Sequence, residues 1–210
     1  MLGASDPSPR RTVFLLSPAF CGGRRARMLL APHAASALAV RLRTTGLALG
    51  DAFQFMSGLY FRGKLAYARA FGTPPLADSV RVITPGMGLV DAERVITLGD
   101  LEAIASVGVA PEEQRFRLPL EMDARALEAS LGPHDRVVLL GSIATGKYVD
   151  VLEGILGERL RFPIDFVGRG DMSRGGLMLR CAADRQELEY VAIAGAVRHG
   201  PRPPKLQPLR

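Results

Sequence analysis

The sequence predicts a single α/β domain with a mostly parallel sheet flanked by helices. Short apolar runs alternate with helical patterns along the chain, which is typical of such sheets. The 210 residues suffice for one sizeable core, and a composition of 48% hydrophobic and 23% charged residues is that of a globular protein. We expect the domain to span residues 11–199, with a disordered tail over residues 1–10 and a Pro-rich basic tail over residues 200–210.

The first half of the domain begins with the apolar run "RTVFLLS", which predicts a buried strand ending near Ser17, before Pro18. A glycine turn and a basic helical stretch, "CGGRRARMLL", follow. "SVRVITPGMGLV" predicts a second strand and a glycine-rich turn. The helices predicted around these segments are residues 34–45, residues 51–71 as one long helix, and residues 98–107.

The second half alternates more regularly. "RVVLLG", "RFPIDFVGRGD" and "ELEYVAIAG" predict three further strands, and helices are predicted over residues 118–131, 147–157 and 172–183. In a parallel sheet of this kind, ligands bind beyond the carboxyl ends of the strands. The loops "SPAFCGGRR", "TPGMGL", "GSIATGKY" and "GRGDMSRGG" therefore form the predicted site.

The charge balance indicates an anionic partner. The net charge is +6, which favours nucleic acid or a phosphorylated ligand, although the tails carry much of this excess. No apolar run reaches the roughly 20 residues of a membrane span, and a signal peptide is not evident, so we expect a cytoplasmic protein without a membrane partner. Two cysteines cannot form a disulfide framework or a four-cysteine zinc site. We expect no metal and no cofactor, and the sequence indicates no oligomeric state.

The segment "GSIATGKY" has the spacing of a phosphate-binding loop between a strand and a helix. Backbone amides at the helix start and the charge of Lys147 would favour an anion. Tyr148 replaces the Ser/Thr that holds magnesium in NTPases, so we expect a phosphate-binding turn of another kind or a purely structural turn. The candidate ligand-binding residues here are Gly141, Ser142, Thr145, Gly146, Lys147 and Tyr148.

A polar stripe marks the helix predicted over residues 51–71. Its members, at 3-4-3 spacing and on one helix face, are Ser57, Tyr60, Lys64 and Tyr67. Apolar residues occupy roughly the opposite face, at Phe55, Leu59, Ala66 and Ala70. The stripe is either a cleft surface for phosphate contact, proton transfer or base stacking, or a solvated helix face.

The loop after the first strand offers Ser17 and Arg24 as ligand-binding residues and Cys21 as a nucleophile. Cations near Cys21 favour its thiolate, although a small structural cysteine is the alternative interpretation.

The loop "GRGDMSRGG" combines Arg169, Asp171, Ser173 and Arg174. Asp171 is predicted to cap the following helix, and the two arginines are candidates for binding a phosphate or carboxylate. The candidate catalytic residues are thus Cys21, Tyr60 and Asp171.

The order of these motifs resembles the YaaA-like group and related domains linked to deazaguanine and archaeosine modification. The resemblance covers about residues 12–157, through "LLSPAFCGGRR", "SGLYFRGKLAYARAF", "ITPGMGLV" and "LLGSIATGKYVDVL". It departs at Thr84-Pro85, where that pattern has a small residue and Ala, and at Arg24 or Arg25, where it has Lys. It departs again at Gly146-Lys147, an extra pair before Tyr148. The resemblance implies DNA binding or nucleobase metabolism and assigns no catalytic residue.

Three functions remain open from the sequence. The first is a protein that binds nucleic acid or a nucleotide-like ligand at the strand ends. Five cations would contact this ligand: Arg24, Lys64, Lys147, Arg169 and Arg174. Tyr60, Tyr67 and Tyr148 would stack on a base or orient it. The second is an enzyme acting on a nucleoside or small phosphorylated substrate. The third is a non-catalytic protein that binds polyanions through its basic tails.

Overall fold

Eight strands and nine α-helices make up the described part of the computed structural model. The strands are β1 (Thr12–Leu16), β2 (Leu47–Ala48), β3 (Val80–Thr84), β4 (Gly88–Asp91), β5 (Val95–Ile96), β6 (Arg136–Leu140), β7 (Leu160–Pro163) and β8 (Tyr190–Ala192). The helices are α1 (Arg24–Leu30), α2 (Ala37–Thr44), α3 (Leu49–Ser57), α4 (Leu59–Phe71), α5 (Leu76–Ser79), α6 (Leu98–Ala105), α7 (Gln114–Ser130), α8 (Gly146–Leu156) and α9 (Asp171–Asp184). The structure describes residues 10–204 and residue 206. The predicted tail over residues 1–10, apart from Arg10, and the end of the predicted tail over residues 200–210 lie outside this part.

The main sheet has six strands in the order β4-β3-β1-β6-β7-β8. The four inner strands run parallel, with β1 between β3 and β6, so that Leu16 pairs with Val82 on one side and Leu140 on the other. The edge strands β4 and β8 are antiparallel to their neighbours. This arrangement confirms the predicted α/β class with a mostly parallel sheet flanked by helices. The hairpin partner β4 and the small β2–β5 sheet are additions that the sequence does not predict.

The core lies on both faces of the sheet, as the unbroken apolar strands predict. Alternate residues of β1 enter different clusters: Phe14 and Leu16 pack with α3, α4 and α9, whereas Val13 and Leu15 pack with α7 and α8. All five residues of β1 are buried. The central strand is therefore covered by helices on both faces of the sheet.

The predicted helix over residues 51–71 is wrong as a single element. It is divided into α3 and α4 by Gly58, whose φ of 60° and ψ of −131° suit glycine and strain other residues. A Cβ at this position would also lie 2.6 Å from a guanidinium nitrogen of Arg25. As a result, Ser57 ends one helix, and Tyr60 belongs to the next.

Helices α4 and α9 cross in backbone contact. A Cβ on Gly63 would lie 2.5 Å from the carbonyl oxygen of Gly175, and a Cβ on Gly175 would lie 2.8 Å from the carbonyl oxygen of Leu59. Two facing glycines therefore permit the close approach. This crossing places the first turn of α9 beside the first turn of α4, at the end of the sheet where β1 and β6 terminate.

Helix α7 runs along the edge strand β4. The carboxylate of Asp123 accepts a hydrogen bond of 2.8 Å from the backbone N–H of Leu89. Gly88 has a φ of +72°, and a Cβ there would overlap with the same carboxylate. The side chains of α7 and the backbone of β4 are thus fitted closely together.

Candidate functional site

A cleft of about 630 Å³ opens at the carboxyl ends of the central strands. Each of the four predicted strand-end loops contributes to it, together with the junction of α3 and α4, the end of α6 and the segment that follows α6. The lining residues are Ser17, Pro18, Ala19, Phe20, Cys21, Gly22, Ser57, Tyr60, Pro85, Ile104, Ala105, Val107, Gly108, Val109, Ser142, Thr145, Lys147, Tyr148 and Asp171. The structure therefore joins the loops and part of the polar stripe in one concavity.

Beneath the cleft, the buried Lys64 contacts Ser17. The Lys64 ammonium nitrogen Nζ donates to the Ser17 carbonyl oxygen at 2.6 Å and lies 2.9 Å from the Ser17 hydroxyl oxygen. It also lies 4.5 Å from the ring centre of Tyr60 and 4.6 Å from that of Phe61. Lys64 is 1% exposed, and this burial lowers its pKa from 10.5 to about 7, with the Asp171 charge opposing the shift.

Tyr148 packs against the same serine from the other side. A Cβ on Gly141 would lie 2.8 Å from the Ser17 Cβ and 2.9 Å from the Tyr148 hydroxyl, so glycine at this position lets the two side chains approach. The Tyr148 hydroxyl donates to the carbonyl oxygen of Ser142 at 3.0 Å. Burial raises the pKa of Tyr148, and a hydrogen bond with Ser17 opposes the rise.

Tyr60 lies between Lys64 and the start of α9. Its hydroxyl is buried and has no hydrogen-bond partner among the residues that the structure describes. Burial raises the pKa of Tyr60, while the nearby Arg174 guanidinium opposes this. Buried polar atoms without a partner are costly in folded proteins, and functional sites are one place where they occur.

The predicted N-cap role of Asp171 is wrong. Gly170 occupies the N-cap position, and Asp171 is the exposed first residue of α9. Its carboxylate lies 3.6 Å from the Arg174 guanidinium. Asp171 therefore presents a carboxylate to the rim of the cleft and keeps its place among the predicted site residues.

The predicted phosphate loop leads directly into α8. Thr145 is the N-cap residue without a side-chain capping bond, and the helix begins at Gly146. Lys147 is exposed at the rim. The Ser142 hydroxyl accepts a hydrogen bond of 3.3 Å from the backbone N–H of Ala144, which shapes the turn. The loop thus places one cation and a helix start at the edge of the cleft.

Several predicted ligand contacts lie outside the cleft lining. Tyr67 is fully buried in the core, where its hydroxyl bonds the Tyr190 hydroxyl and accepts from the Leu188 N–H. The Arg174 guanidinium donates to the Phe166 carbonyl oxygen, and that of Arg169 donates to the Asp165 carbonyl oxygen and the Ser173 hydroxyl. Arg24 is exposed on α1.

Of the five predicted cations, all of which lie in the described part of the chain, Lys147 alone lines the cleft. Lys64 lies directly beneath the cleft.

Aromatic and aliphatic side chains outside the predicted set of site residues form the wall of the cleft. Phe20 is 77% exposed although it is large and apolar. Its ring lies over Gly22, where a Cβ would come within 2.7 Å of the Phe20 Cζ atom. Ile104, Val107 and Val109 add further apolar surface. The exposed phenylalanine between a proline and two glycines is the sequence signal that marks this wall.

Cys21 lines the cleft but is half-buried, and burial raises its pKa to about 11. This direction is opposite to the thiolate that the nearby arginines lead us to expect. Its thiol lies 3.6 Å from the Ala19 carbonyl oxygen. The structure thus favours the interpretation of Cys21 as a small structural cysteine.

We expect Cys21 to react with iodoacetamide at pH 8 about 100-fold more slowly in the folded protein than in urea. A rise of two pKa units lowers the thiolate fraction by this factor, and only the thiolate reacts. Peptide mass spectrometry would follow the alkylation of each cysteine separately. Alkylation of Cys21 at equal rates in the folded and unfolded protein would contradict this assignment and restore it as a candidate nucleophile.

Comparisons with protein-family models, curated proteins and solved structures each gave no match. Over residues 10–204 and 206, no three or more His, Cys, Asp or Glu side chains are grouped so that they could hold a metal ion. None of the helices in this part of the chain has the length and apolarity needed to cross a bilayer.

Proposed function

We propose that the protein binds a nucleoside or nucleoside monophosphate in the strand-end cleft. The observation that carries this proposal is the single concavity that joins a polar floor to an exposed aromatic wall. Its volume of about 630 Å³ lies within the range of small-molecule sites. The position, beyond the carboxyl ends of parallel strands, is where such sheets bind their ligands.

The two sides of the cleft match the two chemical parts of a nucleoside. Phe20 offers a ring face on which a base can stack, because every base has a π-face. The hydroxyls of Ser17, Ser57 and Ser142 lie around the cleft, where they can bond ribose hydroxyls. The motif resemblance to nucleobase-linked domains supports the same ligand class.

The few charged side chains of the cleft lining favour a small ligand rather than a polynucleotide. The charged side chains in the described lining are one cation, Lys147, and one anion, Asp171. A strand of nucleic acid needs a positively charged groove along its backbone. One phosphate, in contrast, can be held by Lys147 and the backbone amides at the start of α8.

Phe20→Ala is expected to weaken the binding of nucleoside monophosphates about tenfold or more. Base–aromatic stacking contributes roughly 1–3 kcal/mol per base, and about 1.4 kcal/mol is a factor of ten. Titration calorimetry with the four common ribonucleosides and their monophosphates would measure the change. Met122→Ala is the matched control, because Met122 is 68% exposed on α7, outside the cleft lining.

Two results would contradict the proposal. One is wild-type protein that binds none of these ligands at millimolar concentration. The other is binding of single- or double-stranded nucleic acid alone, with steep salt dependence and no effect of Phe20→Ala. Such dependence arises from counterion release along the phosphate backbone and would place the function on the basic surface.

A further inference from the structure

The Ser17–Lys64 pair has the geometry of a nucleophile and its base. Ser17 is one of the residues that line the cleft, and it is 6% exposed. The Ser17 hydroxyl oxygen and the Lys64 Nζ are 2.9 Å apart. Covalent catalysis by serine requires a base within this hydrogen-bonding distance.

Lys64 is held in one orientation. Its bond to the Ser17 carbonyl oxygen and the flanking rings of Tyr60 and Phe61 restrict the ammonium group. It forms no ion pair with any described residue, whereas buried lysines are ordinarily paired. A buried, unpaired lysine directly beneath a cleft has the character of a functional group.

Ionisable groups surround Lys64 on its own helix, α4, and on the neighbouring helices α8 and α9. Tyr60 lies on the same helix as Lys64, Tyr148 on α8, and Asp171 and Arg174 on α9. Asp171 acts on Lys64 at longer range and favours its charged form, but burial is the larger effect and lowers the pKa to about 7. Near neutral pH, a substantial fraction of Lys64 is therefore neutral and able to accept a proton.

We propose that Ser17 and Lys64 form a nucleophile–base pair that hydrolyses an ester or other activated acyl bond. The proposal deepens the proposed function and depends on it for the nucleoside character of the substrate, but not for the chemistry. Acyl transfer fits the cleft better than phosphoryl transfer, which relies on concentrated positive charge. The described lining carries only Lys147 to meet that need.

The reaction has two balanced stages. The Ser17 oxygen attacks the carbonyl carbon while its proton passes to the neutral Lys64 amine. The bond to the leaving alcohol then breaks, and the alcohol takes the proton from Lys64. Water attacks the acyl-serine and gives a proton to Lys64, and the departing Ser17 oxygen recovers that proton as the carboxylic acid is released. Tyr148, bonded to the Ser142 carbonyl oxygen, is a positioning residue beside Ser17.

A fluorophosphonate probe tests the pair directly on the full chain. The Ser17 oxygen would attack phosphorus, fluoride would leave, and the hydroxyl proton would pass to Lys64. Intact-mass and peptide mass spectrometry are expected to show one adduct, on Ser17. Ser17→Ala should give no adduct, and Ser130→Ala, which removes an exposed hydroxyl at the end of α7, should be labelled like the wild type.

Lys64→Met should slow the labelling about 100-fold or more, the usual range for loss of a general base. The wild-type labelling rate should rise through about pH 7 and level off above it, which tests the role of Lys64 without any variant. Absence of a Ser17 adduct, or a rate that does not change between about pH 6 and about pH 8.5, would overturn the proposal. Labelling needs no nucleoside, so labelled protein that binds no nucleoside would overturn the proposed function alone.

Discussion

Gly175→Ala is expected to lower the free energy of unfolding by about 1–3 kcal/mol, the usual cost of overpacking. The new Cβ would lie 2.8 Å from the Leu59 carbonyl oxygen and 2.9 Å from the Tyr60 Cα, and these backbone atoms cannot move without moving α4. Urea unfolding followed by circular dichroism would measure the loss. Because α4 carries Tyr60 and Lys64, the same change is expected to disturb the cleft.

Gly176→Ala, one position further along α9, is the matched control. Its Cβ would meet only the Leu206 side chain, at an ordinary contact distance of 3.4 Å. Alanine is favoured over glycine in a helix by up to about 1 kcal/mol, so this variant should be as stable as the wild type or more stable. Equal stabilities of the two variants would contradict the close helix crossing.

The stability of the wild type is expected to rise, relative to Lys64→Met, from about pH 7 to about pH 8.5. The pKa of Lys64 is about 7 in the folded state and 10.5 in the unfolded chain. Between these values the unfolded state binds more protons, so a higher pH favours folding, by up to about 1.4 kcal/mol per pH unit. Below about pH 7 both states are protonated, and this contribution is constant.

Urea unfolding of both proteins at several pH values would measure this difference. Near pH 9 both proteins also respond to Cys21, whose pKa burial raises from 9.0 to about 11, and this response cancels in the difference between them. In each protein the folded state then keeps a proton that the unfolded state loses, which opposes the trend. Parallel stability curves for the wild type and Lys64→Met would show that Lys64 is not titrating in this range.

The sheet was predictable because its signal is local. The runs "TVFLL" and "RVVLL" are apolar throughout, which is typical of strands buried on both faces, and both became central parallel strands. The break at Gly58 was not predictable in the same way. The apolar pattern continues across it, and an isolated glycine is tolerated in many helices.

The location of the site could also be predicted, but not the roles of its residues. Strand-end loops converge in any parallel sheet, so Ser17, Ser142 and Asp171 were identified. In contrast, the polar stripe of α4 faces inwards because α9 covers it, so Lys64 is buried and Tyr67 bonds Tyr190. Such contacts span more than 40 residues of sequence, and no local pattern contains them.

The fit of α7 against β4 has a consequence for self-association. An exposed edge strand offers unpaired N–H and C=O groups to any other extended chain, and this is a common route to aggregation. At this edge the Leu89 N–H is already occupied by the Asp123 carboxylate, and α7 lies alongside the strand. A neighbouring molecule therefore cannot extend the sheet here by adding a strand without first displacing a helix of 17 residues.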